Sequence, residues 1–194
     1  MRKLALLFIT VCFLLACSND GTGKQETAHK HDSTAEQQKK DTTKKSIPSE
    51  TKKWIGNTEI KINYHSPAVR GRVIWGGLVP YDAVWVTGAH SATTLETNKD
   101  FKVGNKLIPA GKYALFTIPG KEEWTVIVNK NWNQHLADDY SESEDLVRVK
   151  VKPEVTNGIT ERLNYEIAQT GDRAAAIMIS WEKIRVSFPI ELSN

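Results

Sequence analysis

From Trp54 onward, apolar and polar residues alternate in short runs, and glycine or proline breaks each run before a helical period develops. Ile60, Ile62 and Tyr64 alternate with Glu59, Lys61 and Asn63, the period of a half-buried strand. Val147, Val149 and Val151 alternate in the same way with Arg148, Lys150 and Lys152. Between these two segments the pattern predicts strands over residues 72–75, 83–87, 93–97, 101–103, 106–108, 112–118 and Trp124–Asn129. Gly104-Asn105 is a two-residue hairpin signal. Further strands follow around Leu163, Tyr165 and Ile167 and over 174–181 and 184–192. Residues 130–145 break the pattern and read as a long surface loop, where functional side chains concentrate. About ten short strands with turn signals between them imply one all-β domain over 54–194, an antiparallel, jelly-roll-like β-sandwich.

The remaining part of the 194-residue chain reads as an address and a spacer. Met1-Arg2-Lys3 is a positive leader and residues 4–15 are apolar, long enough for a signal peptide and too short to span a bilayer. Leu14-Leu15-Ala16-Cys17 resembles the bacterial lipobox, so residues 1–16 are expected to be removed and Cys17 lipidated. Ser18 stands where an aspartate would signal inner-membrane retention, which points to the outer membrane and leaves open which face the domain occupies. Residues 17–53 hold almost no apolar side chains and cannot offset their ordering entropy, so they read as the lipidated cysteine and a disordered tether. His29 and His31 lie in that tract as solvated histidines.

Splitting the chain also explains its charge. The formal net charge is +3, but residues 54–194 carry 16 Lys and Arg against 17 Asp and Glu. A nucleic-acid binder carries its positive charge as a patch on the domain, and none is evident here. Both cysteines, Cys12 and Cys17, precede the domain, which excludes a disulfide, a thiolate zinc site or a cysteine nucleophile within it.

The stretch 71–97 combines Trp75-Gly76-Gly77-Leu78-Val79-Pro80-Tyr81 with Trp85-Val86-Thr87-Gly88-Ala89-His90. With Tyr64-His65-Ser66-Pro67, Pro109-Ala110-Gly111-Lys112-Tyr113 and Trp124-Thr125-Val126-Ile127, these motifs resemble the domain-of-unknown-function family 2911. That family is abundant in Bacteroidota and often carries secretion or lipoprotein signals. The resemblance covers 64 to about 151 and implies an all-β domain at the cell envelope, with no established activity. Where the family pattern has Trp-Arg-Thr-Gly-Ala-Asn, this chain places Val86 and His90 at the arginine and asparagine positions.

Three chemistries are open to these residues. His65, His90 and His135 all lie in or beside predicted loops, and three imidazoles with an open position would hold a divalent metal for hydrolysis or isomerisation. No His-x-His or His-Glu-x-x-His spacing fixes two of them on one element. Exposed aromatic faces beside polar groups can instead stack on sugar rings. Trp85, Trp124 and Trp181 fall in predicted strands and read as core, Trp132 falls in the loop, and Trp75 and Tyr81 flank a turn. Arg70 and Arg72 share one side of an extended chain, suited to an anionic group or to surface ion pairs. The expectation is therefore a lipid-tethered binding module that needs no cofactor, for a glycan, a peptide or an envelope component. Its ligand would meet Tyr64, His65, Arg72 and Tyr81, together with Thr87, His90, Trp132 and His135. The competing expectations are a metal-assisted enzyme and a structural partner in an envelope complex.

Overall fold

The structure, a computed structural model, describes residues 45–193. Ten strands follow in order: β1 (Ile47–Ile55), β2 (Thr58–Ser66), β3 (Thr94–Thr97), β4 (Phe101–Val103), β5 (Lys106–Ile108), β6 (Gly111–Ile118), β7 (Trp124–Asn129), β8 (Asp145–Val151), β9 (Glu154–Gly171) and β10 (Ala174–Leu192). Their one companion among the described residues is a single 3-10 turn, Glu142–Glu144. The strands form two antiparallel sheets, ordered β1-β2-β3-β6-β7-β8 and β5-β4-β10-β9. The chain crosses between sheets after β3, returns after β5 and crosses again after β8. The result is the expected all-β sandwich.

The main core lies between the sheets. Ile60, Ile62, Leu95, Leu115 and Val126 from one side meet Phe101, Leu163, Tyr165, Ile177 and Phe188 from the other, all buried. Burying each such side chain contributes roughly 1.5–3 kcal/mol. Cross-sheet hydrogen bonds fasten the layers, among them Ser66 Oγ donating to Leu163 O at 2.6 Å, Thr51 Oγ1 to Tyr165 O at 3.0 Å and Arg162 Nη1 to Ser66 O at 2.8 Å.

Strands β6 and β7 are buried on both faces, which is why their apolar residues run continuously instead of alternating. Leu115, Val126 and Val128 face the main core, while Ala114, Phe116 and Ile127 join a second cluster with Val86 and Ala92. Ala137 and Tyr140 pack against that cluster. The segments holding Val86, Ala92, Ala137 and Tyr140 therefore cover the outer face of the larger sheet.

Several sequence expectations are corrected here. Residues 72–75 and 83–87 are not regular strands. Arg70, Gly71 and Gly76 have φ of 49°, 68° and 76°, and the amides of Arg72, Gly77, Leu78 and Val79 bond within local turns. Trp85 makes one isolated bridge, exchanging both backbone bonds with Thr117 at 2.8 and 3.0 Å. The regions 174–181 and 184–192 are one strand, bulged at Glu182, whose φ is 55°. The ordered domain begins before Trp54: β1 pairs along its whole length with β2, from Ile47↔Ser66 to Ile55↔Thr58. The signal peptide, Cys17 and the tether up to residue 44 lie outside the described residues.

Four indoles gather where the two sheets and the loop meet. Trp124 and Trp181 come from opposite sheets, and Trp75 and Trp85 from the loop. Trp85 stacks on Trp181 with centroids 5.8 Å apart and planes at 17°, and Trp75 meets Trp124 edge-on at 4.9 Å. The N–H groups of Trp75 and Trp181 are buried without a conventional acceptor, inside a cluster whose edge-to-face contacts present π faces.

Candidate functional site

Two loops on the outer face build the candidate site. Residues 87–92 leave the line of β3 as an excursion between the Trp85–Thr117 bridge and the bond from Leu115 N to Thr93 O at 2.8 Å. Thr87 anchors its base with φ of 53°, a costly conformation for a β-branched residue. Its hydroxyl lies 2.9 Å from that of Thr117, and its carbonyl accepts from Thr93 Oγ1 at 3.0 Å and Tyr165 OH at 2.8 Å. Burial pushes the Tyr165 phenol well above its ordinary range, keeping it a neutral donor. A Cβ on Gly88 would sit 2.7 Å from Thr93 Oγ1, so a larger residue there would have to displace the hydroxyl that donates to Thr87 O.

The second loop, 130–145, is held by a polar network. Asn129, fully buried at the end of β7, donates to Ser141 O at 3.0 Å and to Asp145 Oδ1 at 2.7 Å. Asp145 also accepts from Tyr140 OH at 2.7 Å and Arg148 Nε at 2.6 Å. Burial first, and the Asp145 carboxylate second, push the Tyr140 phenol up to about 12. The two loops are zipped together by bonds from Ala92 N to Gln134 O at 3.0 Å and from Leu136 N to His90 O at 2.6 Å.

A groove of about 490 Å³ opens beside this zipper, walled by Tyr64, His65, Ser91, Lys112, Trp132 and His135, with Asn63, Asn133 and Ser49 alongside. The Trp132 indole is 39 % exposed, and Lys112 Nζ lies 4.1 Å from a ring centroid. Two further polar residues of the lining are buried, Thr94 at 6 % and Gln134 at 7 % exposure. Thr94 Oγ1 and Gln134 Oε1 have no hydrogen-bond partner, although Gln134 Nε2 donates to Asn131 O at 2.6 Å. Each unpaired buried polar atom costs about 1–3 kcal/mol.

The three domain histidines divide. The rings of His65 and His90 meet edge to face, 5.1 Å between centroids. His135 Nδ1 instead pairs with Asp138 Oδ2 at 2.8 Å. Burial, with the nearby His90 second, holds His65 below its usual 6.5. Among the described residues, no three His, Cys, Asp or Glu side chains come together as a metal-binding group.

A family profile for a protein of unknown function, DUF2911, matches residues 46–190. The chain belongs to this family. No curated protein and no solved structure matches it.

Within the DUF2911 domain, the residues singled out from the sequence fall in four places. Tyr64, His65, Trp132 and His135 line the first groove. Arg72 and His90 line a second groove, of about 880 Å³, which the same loops bound through Gly88, Ala89, Leu136 and Asp138. Thr87 is buried and bonded, so it holds the loop instead of facing solvent. Tyr81 lies outside both grooves, its ring against Gly76, where an added Cβ would come within 2.9 Å. Val86 is buried between the second groove and the outer-face cluster. Thr94, Gln134, Asn63 and Lys112 were not anticipated. Their signal is a missing partner or a shared wall, which only the folded arrangement exposes.

Proposed function

We propose that this protein is an envelope lipoprotein, anchored at the outer membrane through Cys17, whose sandwich binds a saccharide in the groove beside Trp132. The observation that carries the reading is the part-exposed Trp132 face beside the Asn63 and Asn133 amides in one groove, whose lining also includes Thr94 and Gln134, each with a buried, unpartnered oxygen. A native fold keeps such groups where something else completes them. Hydroxyl groups do so well, since each can donate to one oxygen and accept from another group. Trp132 offers an apolar face, and the Asn63 and Asn133 amides offer further donors and acceptors. The lining contains no carboxylate and one lysine, Lys112, so an acidic sugar suits it better than a basic one.

Thr94→Val tests the reading with opposite signs. Removing an unpaired buried hydroxyl without changing side-chain shape should leave stability equal or raise it by about 1 kcal/mol, while saccharide affinity falls. Trp132→Ala should weaken binding about tenfold with an unchanged melting temperature. Calorimetric titration of the purified protein with neutral and uronic-acid oligosaccharides measures both effects. Absence of binding across the panel, or binding untouched in both variants, would sink the assignment. For the anchor, metabolic palmitate labelling should be abolished by Cys17→Ala, and labelling that persists removes Cys17 as the lipid site.

A further inference from the structure

The second groove differs chemically from the first. Part of its wall is apolar, with Trp85, stacked on the buried Trp181, beside Leu78, Val84 and Leu136. Its rim is cationic: Lys45, Arg70 and Arg72 line it, with His90 beside them. The one acid in the lining, Asp138, is already engaged by His135 at 2.8 Å. Glu161 Oε1 accepts from the Arg70 backbone N–H at 2.9 Å, so the positive charge at the mouth of the cleft is carried by Lys45 and Arg72. The volume, about 880 Å³, falls within the range of about 300–1,000 Å³ typical of small-molecule sites.

Arg72 is also held in place. Its Nε donates to Val69 O at 3.2 Å and its Nη2 to Ala68 O, which fixes the guanidinium and leaves its other N–H groups for a ligand. Backbone strain gathers around it, with Arg70, His90 and Leu136 all at positive φ (49°, 63° and 49°). Such conformations persist where the surrounding structure over-determines them, and they concentrate at ligand sites.

We propose that this groove is a second binding site, for an amphipathic monocarboxylate. Its alkyl body lies against Trp85, with Leu78 and Leu136 alongside, and its carboxylate meets Arg72. An alkyl chain removes apolar wall from water, and a guanidinium fork matches a carboxylate.

The stacked indoles supply the readout. Decanoate, titrated below its micelle concentration, should shift tryptophan emission saturably. Decanol and decyltrimethylammonium, with the same chain and a neutral or cationic head, should bind at least about tenfold more weakly. Arg72→Gln should weaken decanoate about tenfold. Leu78→Asp, at an exposed position, should abolish the response while the thermal melt confirms the fold. Trp132→Ala should leave the decanoate response intact, which separates this site from the saccharide groove. The proposal is overturned by no saturable shift, by equal affinity for all three heads, or by a response that vanishes in Trp132→Ala. Tighter binding of decyl phosphate than of decanoate would overturn the carboxylate assignment.

Discussion

His65 touches both halves of the site, lining the first groove and meeting the ring of His90, which lines the second. Burial, and then the neighbouring imidazole, disfavour its charged form, so its folded pKa lies below the usual 6.5. As pH falls through that window the unfolded chain binds more protons than the folded one, and stability is lost. The contribution is complete above 6.5 and disappears as pH drops through the lower folded value. Thermal melts from pH 7.5 to 5 should therefore fall less steeply for His65→Gln than for the parent. Parallel curves would show that His65 is not a source of the acid sensitivity. The same residue marks how far single positions can be read. Loop position brought out His65, Trp132 and His135, whereas Thr94 lies within β3, with nothing in its sequence setting to show that its hydroxyl lacks a partner.

At the scale of the element, β1 is the clearest case of tertiary context overriding local composition. Its sequence, Ile-Pro-Ser-Glu-Thr-Lys-Lys-Trp-Ile, is too polar to read as a core strand, and only Ile55 is buried. What holds it is the ladder with β2 and the Thr51–Tyr165 hydrogen bond. A chain beginning at Trp54 should accordingly melt more than about 10 °C lower, because losing several kcal/mol costs about 2–4 °C per kcal/mol in a domain of this size. It should also aggregate, since β2 would become an open edge. A melt within a few degrees of the parent would show that β1 is dispensable. The strands that declared themselves did so by strict alternation or by turn chemistry, as in β8 and in the β4–β5 hairpin around Gly104-Asn105. Residues 69–93 carry equally apolar runs, but their glycines and positive-φ residues spend the backbone hydrogen bonds in local turns. Apolar content alone cannot separate those two outcomes.

For the whole molecule, the decisive feature is that the larger sheet is covered twice: by the smaller sheet on one face, and by the two zipped loops over β6 and β7 on the other. The continuous apolar run of β7 was legible as a strand, but its second buried face was not, because the covering residues come from distant loops. That second cluster is what turns two loops into rigid groove walls. The smaller sheet has its own long-range closure, since β4 pairs through Phe101 and Lys102 with Leu192 and Glu191. Roughly ninety residues separate those partners, on the order of ten seconds of synthesis. Until Leu192 is made, β4 and β5 have no sheet to join, so this half of the sandwich assembles after translation has passed every other strand.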